Sequence, residues 1–422
     1  MIQELGTLMI KHFLFFLTLT TTIFGGKGEF RDSLNSIIAS FPSGTRASIL
    51  IINPLSQDTL YAFNPKQPLI PASNTKLFTT AVALELLSPD FKVYTKLFID
   101  DKNLQDGTIN GNLYLKGYGN PAFYEKDMDA FVDELKRRRI KRITGAIIGD
   151  ESYFDSEYTR EGSIEEENAS VKLPPISALI YNHNSTTSRV RVRRKRYKTV
   201  TTFVKDPANF AANQLRRKLM SAGITVEGDY RSGITPRGAV EIASSHINLI
   251  DFVSRVNKRS DNYYAECLFK IVGAETSGIE GSAITASQAI MEFLKDHDIN
   301  RDGLRLVDGS GISRFNQTSA ATLSELLETI YLDIDLFERY NSTLSVAGYD
   351  GTLGGRMRGT SAEYNFKGKT GTLNGVSSLT GFLKLRNGDD VIVSILIEFS
   401  EKHQGYFRAM QDRIVSALSE IF

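Results

Sequence analysis

The chain has 422 residues, enough for two or more domains with ample core. Its 50 Lys plus Arg nearly cancel its 49 Asp plus Glu, and the net charge of +1 argues against a nucleic-acid binder held by global charge. A single cysteine, Cys267, excludes an intramolecular disulfide, and the five histidines are scattered without a zinc-binding pattern, so neither metal nor cofactor is called for.

Residues 1–26 read as a signal peptide. Lys11 and His12 precede the apolar run Phe13 to Leu17, and a threonine-rich stretch ends at Phe24-Gly25-Gly26. Met9 is an alternative start. The apolar run is short for a spanning helix, and no later stretch reaches spanning length. The chain is therefore expected to be exported, periplasmic or otherwise extracytoplasmic, soluble or loosely membrane-associated, with no integral membrane span once the signal is removed. Phe30, Leu34, Ile37, Ile38 and Phe41 recur at helical spacing. Arg46 to Ile52 reads as a buried strand and Asp58 to Phe63 as its hairpin partner.

Pro71-Ala72-Ser73-Asn74-Thr75-Lys76 opens the next helix, whose Leu77, Ala81, Leu84 and Leu87 keep helical spacing. Residues three apart share a helix face, so the Ser73 hydroxyl and the Lys76 amine can meet. A serine hydroxyl is a poor nucleophile until a base takes its proton, and a lysine serves as that base when burial or nearby cations lower its pKa. The helix N-terminus adds N–H groups that favour a developing negative charge. Alone, Ser-x-x-Lys is a weak signal on an amphipathic helix.

From about residue 90 the character changes. Lys92 to Ile99 and Ile109 to Leu115 read as strands flanking Asp106-Gly107, Asp127 to Arg139 as a polar helix, and Ala146 to Asp150 as a short apolar strand. Glu165 to Glu167 reads as a solvated loop. Arg189 to Arg196 alternates Arg with Val and then turns continuously basic. Its plain reading is a strand with an exposed cationic face; its sharper one is attraction to an anionic cell-wall polymer. Pro207 to Ala222 reads as a helix and Ile224 to Tyr230 as a strand.

Leu249, Phe252, Val253 and Val256 form an amphipathic run before Ser260-Asp261-Asn262, and a helix follows from Tyr263 to Val272, in which Cys267 reads as a small core residue. Ala283 to Leu294 and Ala320 to Tyr331 are further helices. Lys369-Thr370-Gly371-Thr372 falls on a strand from Phe366 to Thr372. Val376 to Leu385 and Val391 to Phe399 flank Asn387-Gly388, a hairpin signal, and His403 to Ile421 closes the chain as a helix. The predicted class is α+β, a mostly antiparallel sheet covered by helices.

Ser-x-x-Lys, Ser-Asp-Asn and Lys-Thr-Gly, in this order, form the signature of penicillin-binding proteins and class A β-lactamases. With Asp308-Gly309-Ser310-Gly311-Ile312-Ser313-Arg314 and Val346 to Leu353, they make the chain resemble the class C low-molecular-mass penicillin-binding proteins, the D-alanyl-D-alanine carboxypeptidase/endopeptidases of peptidase family S13. The resemblance runs from about residue 60 to the C-terminus. It implies a penicillin-recognising, β-lactamase-like catalytic domain over 27–89 and 245–422. The motifs at Ser73 and Ser260 stand further apart than that domain needs, so 90–244 is expected to be inserted.

The resemblance also implies roles. Ser73 attacks the carbonyl between two D-alanines of a peptidoglycan stem peptide, and Lys76 is the base. Ser260 relays the proton to the leaving amine with help from Lys369, and Asn262 positions Lys76. Lys369 and Thr370 with the Thr372 hydroxyl hold the terminal carboxylate, beside Gly371. The N–H groups of Ser73 and Thr372 form the oxyanion hole. β-Lactams acylate the same serine. Arg314 lies near the substrate end of the cleft by resemblance, or is an ordinary surface arginine. Asp150 binds an amino group of the peptide or, as we favour, ends a strand. Asn120 replaces an aspartate common in the family. A β-lactamase is the enzymatic rival, but no glutamate deacylation motif stands out. A non-catalytic cell-wall binder is the other rival, and the intact Ser73, Lys76, Ser260 and Lys369 argue against it.

Overall fold

The computed structural model describes residues 28–100, 106–159, 173–193 and 196–421. The expected signal segment, the Glu165 to Glu167 loop and the centre of the basic run at 194–195 lie outside them. Helix α1 covers residues 28–39. Strands β1 (Arg46–Ile52) and β2 (Thr59–Phe63) follow, and a single 3-10 turn, Ala72–Asn74, leads into α2 (Thr75–Leu86). After a long excursion the chain returns through helices α5 (Leu249–Arg259), α6 (Asn262–Ser277), α7 (Ala283–Asp296), α8 (Ala320–Leu332) and α9 (Ile334–Thr343). It ends with β13 (Ser345–Val346), β14 (Phe366–Leu373), β15 (Val376–Lys384), β16 (Asp390–Glu398) and α10 (Gln404–Ile421).

These strands form one antiparallel sheet in the order β13-β14-β15-β16-β1-β2. Its central strand β16 reads as a continuous apolar run because both faces are covered. Val391, Val393, Ile395 and Ile397 point to a core shared with Phe30 and Leu34 of α1 and Phe407 and Ile414 of α10. Ile392 and Leu396 point the other way, to the core of α2, α5, α6, α7 and α8. The alternation is the two-residue period of a strand, and each buried Leu or Ile contributes roughly 1.5–3 kcal/mol.

The excursion builds separate sheets. β3 (Lys92–Ile99), β5 (Leu113–Gly117), β7 (Ile147–Asp150), β11 (Tyr230–Ser232) and β12 (Val240–Asn248) pair in the order β11-β7-β5-β3-β12. β4 (Thr108–Ile109), β6 (Arg142–Ile143) and β10 (Thr225–Val226) make a small parallel sheet. Helices α3 (Glu125–Arg137) and α4 (Pro207–Ser221) pack on these strands through Phe131, Leu135, Leu215 and Leu219. β8 (Ser185–Arg193) and β9 (Arg196–Phe203) pair with each other and, among the described residues, with no other strand.

Two predicted strands are each broken in two. Ile109 to Leu115 divides into β4 and β5, and Ile224 to Tyr230 into β10 and β11. The breaks stack: the Gly145 N–H donates to Gly111 O and the Gly228 N–H to Gly145 O, so three neighbouring chains bend from one sheet to the other at the same level. The basic run also differs from a single strand, since β9 adds Tyr197 to Phe203 as a second ribbon strand. Strand β12 passes through residue 245, where the resumption of the catalytic domain was expected, and pairs with β3 along its length.

Candidate active site

Ser73 sits in the 3-10 turn rather than in the first turn of the α-helix proper. The turn begins at Ala72, a buried alanine held at φ +48°, in the left-handed region that L side chains rarely occupy. Neighbours over-determine that backbone. The Thr75 hydroxyl donates to Ala72 O at 2.9 Å, and the Ser378 hydroxyl donates to Pro71 O at 2.6 Å. Gly311 and Gly371 press against the turn from two sides. A Cβ at 311 would lie 1.9 Å from Ala72 O, and one at 371 would lie 3.1 Å from Ser73 N. The glycine of Lys-Thr-Gly thus lets β14 approach the Ser73 N–H.

Lys76 is fully buried on α2. Its Nζ lies 3.0 Å from Ser73 Oγ and 2.7 Å from Asn262 Oδ1, and it also donates to the carbonyl of Ser310. The last two atoms can only accept. The serine hydroxyl can also donate. A neutral amine would therefore keep its two N–H bonds to Asn262 and Ser310 and turn its lone pair to the Ser73 proton.

Ser260 closes α5 in the left-handed conformation, φ +53°. Asp261 turns away and caps α6, its Oδ1 accepting from the N–H groups of Tyr263 at 3.1 Å and Tyr264 at 3.2 Å. One short motif thus carries a cap and two cleft residues, because Ser260 and Asn262 both line the same cleft as Ser73. Lys369, on β14, is buried and donates to Ser260 Oγ at 2.8 Å and Thr370 O at 2.9 Å. Burial pushes its pKa well below the ordinary lysine value, and the nearby Lys76 adds to the shift. Among the described residues no carboxylate pairs with Lys369.

The cleft has a volume of about 530 Å³ and takes in Ser73, Ser260, Asn262, Thr370 and Thr372. β13 pairs only with Lys367 and Gly368, so among the described residues the edge of β14 from Lys369 onward has no strand partner on that side. This leaves the edge open to a substrate backbone.

Several functional candidates carried no role in the sequence reading. Glu266 and Asp308, both buried, hold the loop before α8 by its N–H groups: Ser310 N–H to Glu266 Oε1 at 3.0 Å, Gly311 N–H to Asp308 Oδ1 at 2.7 Å and Ser313 N–H to Asp308 Oδ2 at 2.8 Å. That clasp aims the Ser310 carbonyl at Lys76. Arg408 of α10 lines the cleft and donates to Thr372 Oγ1 at 3.1 Å. Because the oxygen accepts from Arg408, its own proton is free for a ligand. Arg356 also lines the cleft but is paired with Asp412 at 2.7 Å. No short motif announces these arginines. Only the Asp-Gly-Ser-Gly turn hinted at Asp308.

Two predicted residues stand apart from the cleft's lining. Arg314 is half-buried and donates to Asn374 O at 2.8 Å, in the turn after β14. Asp150 is buried at the end of β7, accepts from Ser152 N–H at 2.9 Å and Thr235 N–H at 2.7 Å, and pairs with Lys116 at 3.1 Å. Burial alone would raise its pKa, but these hydrogen bonds outweigh it and hold the carboxyl below its usual value. Asn120 is buried, and its Oδ1 accepts from Ala122 N–H at 2.9 Å. Cys267 is a buried free thiol whose pKa burial drives well above the ordinary range. Among the described residues no cluster of His, Cys, Asp and Glu could hold a metal ion, and no helix is long and apolar enough to cross a membrane.

Comparison with known proteins agrees with this geometry. A D-alanyl-D-alanine carboxypeptidase of Actinomadura sp. (strain R39) is 27% identical over 93% of this chain and 85% of its own length. D-alanyl-D-alanine carboxypeptidase DacB of Haemophilus influenzae is 24% identical over 85% of this chain and 86% of its own. The crystal structure of penicillin binding protein 4 (dacB) from Haemophilus influenzae superposes with a TM-score of 0.80 at 23% identity, covering 92% of this chain and 99% of that one, so the fold is shared. The D-Ala-D-Ala carboxypeptidase 3 (S13) family matches residues 30–196 and 191–418. The resemblance carried by the motifs is borne out: the chain belongs to the D-Ala-D-Ala carboxypeptidase 3 (S13) family and is an enzyme of the serine peptidase type.

Proposed function

We propose that the chain cleaves D-Ala-D-Ala-type peptides of peptidoglycan through an acyl-enzyme on Ser73, and that β-lactams acylate the same residue. The observation that carries this reading is the 3.0 Å approach of Lys76 Nζ to Ser73 Oγ, with Asn262 and Ser310 occupying the other donors of the amine. Lys76 takes the Ser73 proton as the Oγ–C bond forms. The carbonyl oxygen becomes an oxyanion held by the N–H groups of Ser73 and Thr372. Ser260, bonded to Lys369, relays that proton from Lys76 to the leaving nitrogen as the C–N bond breaks. Water then hydrolyses the ester.

The substrate carboxylate is bound by Lys369, Thr370 and Thr372, and Arg408 adds a cation behind the Thr372 hydroxyl. Arg314 braces the turn after β14. Asp150 clasps two loops to the end of β7 rather than contacting substrate. In the same reading, residues 90–244 are an inserted domain and the enzyme is exported, its work lying on the cell-wall side of the cytoplasmic membrane.

The test is intact-mass analysis after benzylpenicillin. The wild type should gain one stable adduct and Ser73→Ala none, with an unchanged circular-dichroism spectrum. An adduct of undiminished yield in the variant would remove Ser73 as nucleophile, and rapid loss of the wild-type adduct would turn the reading toward a β-lactamase.

A further inference from the structure

The β8–β9 ribbon takes no part in the cleft. Its strands pair with each other and with no other strand among the described residues. Among the described residues, nearly every one from Thr186 to Arg193 and from Arg196 to Thr202 is exposed on the ribbon. An isolated two-stranded hairpin is marginal in water, so a bare ribbon of this length calls for a covering partner. Its root, by contrast, is fixed. Val204 N–H donates to Asn184 O at 2.8 Å, and the buried Asn184 side chain donates to Ser177 Oγ at 2.9 Å and to Tyr263 Oη at 3.3 Å. The ribbon is therefore mounted on the body of the enzyme, one residue from the Ser-Asp-Asn motif.

The chemistry of that ribbon is one-sided. No acidic residue occurs from Ser185 to Lys205, in a chain whose charges otherwise nearly cancel. Arg189, Arg191, Arg193, Arg196 and Lys198 pair with no carboxylate among the described residues, and Arg189 instead lies 5.4 Å from the Tyr197 ring. Apolar groups alternate with them. Val190, Val192 and Tyr197 are 48%, 57% and 54% exposed. The register places Val190 opposite Lys198, and Arg191 opposite Tyr197, so each face presents both cations and apolar groups.

We propose that this ribbon docks the enzyme on the surface of a bilayer rich in anionic phospholipid. The cations meet the phosphates, and the valines enter the headgroup boundary, where short apolar chains are favoured. A purely anionic polymer would use the arginines but give the exposed valines nothing to contact. Each Lys or Arg near an anionic membrane strengthens partitioning about fivefold.

The test is co-sedimentation of the full chain with vesicles of phosphatidylglycerol and phosphatidylethanolamine, with phosphatidylcholine vesicles and purified peptidoglycan sacculi as the other arms. The wild type should bind the anionic vesicles, with affinity falling as salt rises, and should ignore phosphatidylcholine. The combination Arg189→Gln, Arg191→Gln and Lys198→Gln should weaken binding about 100-fold, and Val190→Ser with Val192→Ser several-fold, both with undiminished cleavage of a soluble peptide. Any contribution of the N-terminal apolar segment is common to all variants and cancels. Equal binding to neutral vesicles, or a charge variant that binds as the wild type does, overturns the proposal. So does capture by sacculi that the valine changes leave untouched, which would make the partner a polymer.

Discussion

The motif-bearing part of the molecule and the 92–248 excursion differ in how much charge they bury. Around the six-stranded sheet, the deepest places hold ionic side chains: Lys76, Lys369, Glu266 and Asp308 are all at most 4% exposed. In the excursion the core is apolar, from Leu97 through Ile147 to Leu219; among the described residues its one buried carboxylate, Asp150, is paired with Lys116, and the other charges lie outside, most openly on the β8–β9 ribbon. Buried charges are expensive and rarely raise stability. Their concentration around one cleft places that cost where the proposed proton transfer and anion binding need it. In the excursion the buried charge of Asp150 holds two loop N–H groups instead.

The largest break in that comparison should come from Lys76→Met, which fills the same space without a base. Proton transfer by a placed base is worth roughly 10²–10⁴-fold. Acylation should slow by that range for every donor, measured by stopped-flow with benzylpenicillin and with D-alanine-terminated peptides. A fall of less than tenfold would assign the proton to another group.

Lys369→Met should act more selectively. A hydrogen bond to a charged group is worth about 1.5–3 kcal/mol, so donors with a terminal carboxylate should lose roughly 10–100-fold against their carboxamides. Equal loss for both would move Lys369 into the proton relay. The same variant should be more stable than the wild type. The folded protein depresses the Lys369 pKa, so the unfolded chain binds more protons and the wild type carries a penalty at neutral pH. That penalty is full below the lowered value and fades as pH rises to the unfolded value, about 10.4. Melting curves should show a gain in Tm for Lys369→Met at pH 7 that shrinks by pH 10.

Much of this site was legible because its chemistry is carried by short motifs on periodic elements. The bounds of β1 and β3 follow from their apolar patterns alone, at Arg46–Ile52 and Lys92–Ile99. The illegible parts have physical reasons. Nothing in Ile224 to Tyr230 says that its two ends belong to different sheets, because the break depends on Gly145 in a neighbouring chain. Strand β12 was missed as it alternates weakly, with Ser244, Ser245 and His246 where an apolar stripe would be sought. The Ser310 carbonyl is a backbone acceptor, and no side chain announces it. Arg408 reaches the cleft from the last helix, with only amphipathic spacing around it.

Two buried aspartates sharpen the contrast between the regions. Asp308 and Asp150 both clasp loop N–H groups, and leaving a buried N–H unpaired costs about 1–3 kcal/mol. Asp308→Ala and Asp150→Ala should therefore both lower the urea midpoint by comparable amounts. Only Asp308→Ala should also slow acylation, since its loop carries the Ser310 carbonyl to Lys76. A matching loss of acylation in Asp150→Ala would show that the excursion takes part in the chemistry and would erase the division drawn above.

The smallest expected effect tests where the cleft ends. Arg408 is exposed, and its contact to Thr372 Oγ1 is with a neutral hydroxyl. An exposed charge facing a carboxylate contributes about 0.2–1 kcal/mol, and salt screens it. Arg408→Met should then cost no more than roughly fivefold in acylation by a D-alanine-terminated peptide and nothing for the carboxamide. The loss should disappear in about 1 M salt, where the screening length falls to roughly 3 Å. Arg356→Met offers the control from the same cleft. It breaks the ion pair with Asp412 and should lower stability at any salt concentration. If Arg408→Met instead slows both donors alike and salt leaves the loss unchanged, the arginine orients Thr372 for the oxyanion hole, and the catalytic machinery extends into the C-terminal helix.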